Sequence, residues 1–123
     1  MNLRVGMASI SMLALCCTSC LDSDEVQMVK NGSLNSCPGQ TVEKMVNSYM
    51  GSPSWESGKS ADGQVFVNVS GDITYQEKPV RAVVQFFLDG QTFSFNAIEL
   101  NGVPSPNLLA FGLMGNMCES AAK

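Results

Sequence analysis

The sequence contains no histidine, and this absence removes several kinds of chemistry. Without an imidazole the chain has no histidine general base, no Ser-His or Cys-His nucleophile pair, and few of the ligand sets that hold zinc. Charged residues are also sparse, at 15 % of the 123 residues, against about a quarter in ordinary soluble domains. The formal net charge of −4 gives no attraction to nucleic acids or to anionic lipid headgroups.

The chain begins with the three-part layout of a secretory signal peptide. Arg4 and the amino terminus supply positive charge, and residues 5–17 form an uncharged, mostly apolar run. Small residues, Thr18 and Ser19, then precede a cysteine. The apolar run is shorter than the roughly 20 residues of a membrane-spanning helix, so we expect residues 1–19 to be a cleaved signal peptide. The rest of the chain then has a formal net charge of −5, from six Lys and Arg against eleven Asp and Glu.

The segment Cys17-Thr18-Ser19-Cys20 resembles the lipobox of bacterial lipoproteins. In that family the cysteine is lipidated and becomes the new amino terminus, so the resemblance implies a lipid on Cys20 and attachment to a membrane. The segment departs from the usual pattern at Cys17, where the family commonly has Leu. Leu21 follows the cysteine in place of the Asp that retains such proteins at the inner membrane, which favours the outer membrane. An ordinary cleaved signal peptide is the alternative.

The number of cysteines agrees with lipidation. Of the five cysteines, Cys16 and Cys17 would leave with the signal peptide, and Cys20 would carry the lipid. Cys37 and Cys118 remain, and an even pair in an oxidising compartment predicts a disulfide. Closing a loop of this length would stabilise the domain by about 4–5 kcal/mol. Two free thiols are the alternative.

The mature chain divides into a tether and one small domain. Residues 20–36 are polar and show no lasting periodicity, which predicts a lipidated flexible tether with a reach of about 20–25 Å. We expect the domain to occupy residues 37–123. An apolar stripe at helical spacing predicts a first helix over 41–50, with Thr41 as its cap. A second stripe predicts a last helix over 106–120, with Ser105 as a possible cap.

Between the two helices, alternating apolar residues predict three strands, over 65–75, 80–88 and 93–97. Asp89-Gly90 indicates a two-residue hairpin turn, which would place Phe86 opposite Phe93. A four-residue turn over 76–79 would place the apolar residues of the first strand on the same face. The expected fold is therefore α+β, in the order α-β-β-β-α, with a three-stranded antiparallel meander, two helices on one face and one disulfide.

Four of the apolar residues outside this predicted core are candidates for partner binding. Phe66, Val83 and Phe87 lie on the otherwise polar face of the predicted sheet, together with Ile98. Trp55 lies in a Gly/Ser/Pro-rich segment, 51–64, that predicts a loop. Its indole could fold onto the core or bind a partner, because Trp is enriched at binding hot spots.

The carboxylates show no spacing that indicates an acid–base pair, a metal site or a cofactor site. Asp62, Asp72, Asp89 and Glu99 are scattered and are expected to be solvated. We therefore expect no catalytic residue, and a non-enzymatic module that binds another envelope protein from the periplasm or the cell surface. One alternative is a structural role in which the strand over 65–75 adds to another sheet. Another is a small carboxylate enzyme.

Overall fold

The computed structural model describes residues 23–123, which form an α+β fold with three helices and a five-stranded antiparallel sheet. The strands follow one another in space as they do along the chain, so the sheet is an open meander. In chain order, the elements are α1 (Asp24–Asn31), α2 (Val42–Tyr49), β1 (Gly51–Lys59), β2 (Val65–Tyr75), β3 (Lys78–Asp89), β4 (Thr92–Leu100), β5 (Val103–Pro104) and α3 (Asn107–Ala122).

One face of the sheet, here called the inner face, packs against all three helices and forms the core. Successive side chains of a strand point to opposite faces, and the apolar residues of β2 and β3 alternate accordingly. The buried inner-face residues are Val67, Val69, Ile73, Ala82, Val84, Phe86, Leu88 and Ile98. The helices contribute Val26, Val29, Val42, Met45, Val46, Ala110, Leu113, Met114, Met117 and Ala121 to the same cluster.

The two predicted helices and the disulfide are present. In α2 the Thr41 hydroxyl accepts a hydrogen bond from the Lys44 N–H at 3.2 Å, as its capping role requires. The last helix begins after Pro106, which occupies the N-cap without a side-chain bond, so the prediction of Ser105 as the cap is wrong. Cys37 and Cys118 form the predicted disulfide, with Cα atoms 5.9 Å apart and a sequence separation of 81.

The prediction of a flexible tether over 20–36 is wrong for the residues that the structure describes. Residues from Ser23 onward fold against the core as α1 and the loop that follows it. The Ser23 hydroxyl accepts from the Val26 N–H at 3.2 Å and begins the helix. Val26 and Val29, one turn apart, are both buried. The domain therefore begins more than a dozen residues before the predicted boundary at 37, whereas Cys20 and the signal peptide lie outside the described residues.

The predicted loop over 51–64 is also wrong, because its first nine residues form β1. Trp55 pairs with Val69, and the pairing continues to Lys59 opposite Val65. Main-chain pairing to β2 has overridden the low strand propensity of Gly, Ser and Pro. As a consequence β2 lies between β1 and β3, so the strand over 65–75 has no open edge with which to join another sheet.

The turn between β2 and β3 contains two residues instead of the predicted four. Tyr75 pairs with Lys78, and Gln76 and Glu77 have φ values of 52° and 67°. Positive φ at both central positions is typical of the tight hairpin turns whose twist matches that of the strands. Such turns usually contain Asn, Asp or Gly, so the residues Gln and Glu do not predict one here. The register shifts by two residues from the prediction, and an even shift keeps every side chain on its predicted face.

The pairing of β3 with β4 contains a bulge that the sequence did not indicate. Phe86 pairs with Phe95, whereas Gln85 pairs with Ala97, so Asn96 is an extra residue. The bulge reverses the alternation along the rest of β4. Ile98, predicted for the polar face, is therefore buried in the core, and Ala97, predicted for the core, lies on the other face. The turn residues are Gly90 and Gln91 instead of Asp89 and Gly90, because Asp89 pairs with Thr92.

Candidate docking surface

The second face of the sheet, here called the open face, carries three of the four candidate binding residues. Phe66 pairs directly with Phe87 across β2 and β3, and Val83 pairs with Ser70 farther along the same strands. All three apolar side chains are half-buried. Each helix packs on the inner face, so within residues 23–123 no helix covers this group.

Phe66 also has a structural contact on this face. It pairs with Gly58 of β1, and a Cβ added at Gly58 would lie 2.7 Å from the Phe66 Cζ. The ring therefore covers the backbone of a glycine near the edge of the sheet, an arrangement that supports weak strand positions. Phe87 and Val83 make no such contact with a glycine in the part of the chain that the structure describes, so they are the better candidates for a purely binding role.

Polar side chains surround the apolar residues of the open face. The Asn96 amide donates to the Gln85 amide oxygen at 2.8 Å, which ties the bulge to β3. Arg81 and Asp72, a cross-strand pair, form an ion pair at 3.5 Å. The Asn68 Oδ1 is buried and has no hydrogen-bond partner among the described residues. A buried acceptor without a donor is unusual in folded proteins.

Trp55 lies on the inner face, so the structure separates it from the other three candidates. Its register partner is the buried Val69, and its half-buried ring packs against the core. The Lys30 ammonium of α1 lies 5.3 Å from the ring centroid and 3.7 Å from a carboxylate oxygen of Glu43. These contacts agree with the interpretation in which the indole covers the core.

Two of the candidate carboxylates, Asp62 and Asp72, have partners of their own among the described residues. Asp72 is paired with Arg81, and Asp62 accepts hydrogen bonds from the Ser60 hydroxyl and the Gln64 N–H in an exposed loop. These two bonds lower the pKa of the Asp62 carboxyl below its ordinary value, and the bond from Ser60 has the larger effect. Residues 23–123 contain no cluster of three or more acidic or cysteine side chains that could hold a metal ion. No helix within the same residues is long and apolar enough to cross a membrane.

Comparison with protein-family models, with curated proteins and with solved structures finds no match to this chain. Sequence reasoning placed Phe66, Val83 and Phe87 on one face correctly, because β2 and β3 alternate regularly.

Proposed function

We propose that this chain is a lipoprotein of the bacterial cell envelope whose folded domain binds another envelope protein and performs no catalysis. The observation that carries the proposal is the open face, where Phe66, Val83 and Phe87 are left uncovered by every described helix. A small sheet whose second face is wholly polar needs no partner there, whereas aromatic residues are enriched at protein interfaces.

The polar groups of the open face suit recognition of a protein surface. A central apolar group within a polar rim is the usual anatomy of an interface, and Gln85, Asn68 and Arg81 supply donors and acceptors around it. The unpartnered Asn68 oxygen could accept a bond if its amide turned toward a docked partner. Leaving a buried acceptor without a donor costs about 1–3 kcal/mol, so such a bond would add to the affinity.

The proposed lipid would hold the domain close to the membrane. Cys20 is three positions before Ser23, the first of the described residues, and three residues of any conformation span at most about 10 Å. The Ser23 hydroxyl lies 2.8 Å from that of Ser57. Asp24 and Glu25 line the same surface as Gly90 and Gln91, at the turn between β3 and β4. The anchor would thus attach at one end of the strands, leaving the open face accessible from the side to other membrane-associated proteins.

Photo-crosslinking in cells tests the docking surface. A crosslinking amino acid at position 87 should give one abundant adduct with an envelope protein. The same amino acid at position 55 should give none, because Trp55 packs against the core. An adduct at 55 without one at 87 would move the interface to the helix side of the sheet.

A pair of charge substitutions tests the same surface by another route. Val83→Glu with Phe87→Glu should abolish the adduct, here formed from a crosslinker at position 85, and leave the circular dichroism spectrum unchanged. Val103→Glu is the matched control, since Val103 is an exposed valine of β5, away from the centre of the open face. Full retention of the adduct in the double variant would show that the open face is not the interface.

The anchor has its own test. Wild-type chain from cells fed labelled palmitate should carry the label, and the Cys20→Ala variant should carry none and leave the membrane fraction. Label that persists in Cys20→Ala would place the lipid elsewhere, and unlabelled wild-type chain would indicate an ordinary signal peptide.

A further inference from the structure

An apolar groove lies between β4, α3 and the loop over residues 34–36, on the helix side of the sheet. It has a volume of about 380 Å³, and its apolar lining residues are Leu34, Phe93, Phe95, Phe111 and Met114, with Gly115 at one wall. The Phe111 side chain is 63 % exposed although its ring lies 6.3 Å from that of Phe95 in an edge-to-face contact. A large apolar side chain in this position lacks a partner on one side.

The strand that borders the groove has an open edge. β5 pairs only with Glu99 and Leu100, and the Ser105 N–H bonds the Ile98 carbonyl at 2.9 Å. From Thr92 to Ala97, β4 pairs with no strand on its outer side within residues 23–123, and the loop residues Leu34, Asn35 and Ser36 line the same groove as Phe93 and Phe95. Because Asp89 and Thr92 close a two-residue turn, the main-chain N–H and C=O groups of Phe93 and Phe95 point away from β3, toward this edge.

The opposite edge of the sheet is protected in ways that the β4 edge is not. β1 carries Pro53, Glu56 and Lys59 and has an irregular register at its start. Proline, charge and irregularity are the features that keep edge strands from pairing with other chains. The segment Thr92–Ala97 contains no charged residue and no proline. Its only irregularity, the bulge at Asn96, leaves the first four residues of the strand regular.

No charged residue lines the groove itself, and carboxylates lie next to the elements that form it. Asp24 and Glu25 line the surface beside Gly90 and Gln91, where β4 begins. Glu119 is exposed on α3, one turn beyond Gly115. No Lys or Arg lines the groove. Opposite charges at the rim of an interface steer association and fix its register, so an occupant with basic flanking residues is favoured over a second copy of this acidic chain.

We propose that this groove binds an extended segment of a partner protein, which adds to β4 as a further strand. Its main chain would bond the outward N–H and C=O groups of Phe93 and Phe95. Because alternate side chains of a strand share a face, two apolar residues two positions apart would enter the groove, with Lys or Arg on either side. This site is separate from the open face and does not depend on it.

Two glycines of α3 provide a matched test. A Cβ at either Gly115 or Gly112 would meet no atom within 4 Å, and both residues are exposed. A tyrosine at either position is therefore compatible with the fold and favours the helix over glycine. Only Gly115 lines the groove, so Gly115→Tyr should fill it and Gly112→Tyr should not.

The probe is a phage-displayed library of random peptides of about eight residues, a usual strand length, selected on the chain isolated from cells. Selected peptides should share two apolar residues two positions apart with basic flanks. Their synthetic forms should bind Gly115→Tyr at least about tenfold more weakly, a change of about 1.4 kcal/mol, and bind Gly112→Tyr as they bind the wild type. Binding should also survive Val83→Glu with Phe87→Glu, which separates this site from the open face.

Amide hydrogen exchange reports the main-chain bonds directly. The Phe93 and Phe95 amides should exchange rapidly in the unbound chain and slowly when peptide is bound. Methylating the peptide amide nitrogens that would face β4 should abolish both the protection of the Phe93 and Phe95 amides and the binding of the peptide. The proposal fails if the selection yields no common pattern, if Gly115→Tyr leaves binding unchanged, or if Gly115→Tyr instead dissociates a dimer of this chain formed through β4.

Discussion

Two neighbouring valines of β3 lie in different environments. Val84 is 1 % exposed and pairs with Val69 and Ile98 beneath the helices. Val83 is half-buried on the open face, between Ser70 and Glu99. Because side chains alternate along a strand, Val84 packs in the core whereas its neighbour Val83 lies outside the core. Substitutions on the two faces of this sheet can therefore be made separately, so that stability and partner binding can each be tested in β3.

The largest difference between the faces should come from placing the same charge on each. Val84→Asp buries a carboxylate without a partner and should lower the free energy of unfolding by at least about 4 kcal/mol. Val83→Asp leaves the charge in contact with water and should cost no more than about 1 kcal/mol. Urea unfolding followed by circular dichroism measures both. Equal losses in the two variants would mean that the open face is also part of the stabilising core.

The next largest effect should come from the disulfide, which joins the loop before α2 to α3 on the helix side. Replacing Cys37 and Cys118 together by Ser should lower the free energy of unfolding by about 4–5 kcal/mol, because the bond closes a long loop in the unfolded chain. Unfolding of the wild type with a reducing agent is the control and should give the same loss. A loss below about 1 kcal/mol would show that the unfolded chain is already compact without the bond.

Much of the helix side could be predicted from sequence because its signals are local and strong. The apolar stripe and the Thr41 cap predict α2, and the even pair of cysteines that remains once Cys20 is assigned to the lipid predicts the disulfide. The alternation in β2 and β3 fixes which residues face the core. The two-residue error in the length of the β2–β3 turn did not change which face each side chain occupies, because an even shift in register preserves the faces.

The remaining features depend on tertiary contacts that leave little trace in the sequence. β1 is polar and glycine-rich, and it is a strand because β2 offers it main-chain partners. The Asn96 bulge changes the environments of Ala97 and Ile98 by inserting one residue, which no turn signal marks. For the candidate site, the open-face residues followed from alternation, whereas Trp55 could be placed only once β1 was known to be a strand.

A smaller effect is expected in α1, where a flexible tether was predicted. Val29 is fully buried, and Val29→Ala should lower the free energy of unfolding by about 2 kcal/mol, from the lost methyl groups and the space they leave. Gln27→Ala is the control, at an exposed position of the same helix where the Gln27 amide oxygen accepts from the Asn31 amide at 3.5 Å, and it should cost no more than about 1 kcal/mol. Indistinguishable unfolding curves for the two variants would mean that α1 does not pack stably against the core and that this segment is a tether.

The smallest effect should arise at Asp62, in the loop between β1 and β2 and outside both faces. Its bonds from Ser60 and Gln64 lower the pKa of the carboxyl in the folded chain, so the folded state favours the ionised form. The resulting stabilisation is present above the pKa of the unfolded chain and is lost as the pH falls through the lowered folded value. Asp62→Asn should therefore be slightly less stable than the wild type at neutral pH, with the difference disappearing in strong acid. Unfolding at a series of pH values measures this, with Asp89→Asn as the control for loss of one negative charge. A difference that grows on acidification would mean that folding raises the pKa, and that these bonds do not stabilise the carboxylate.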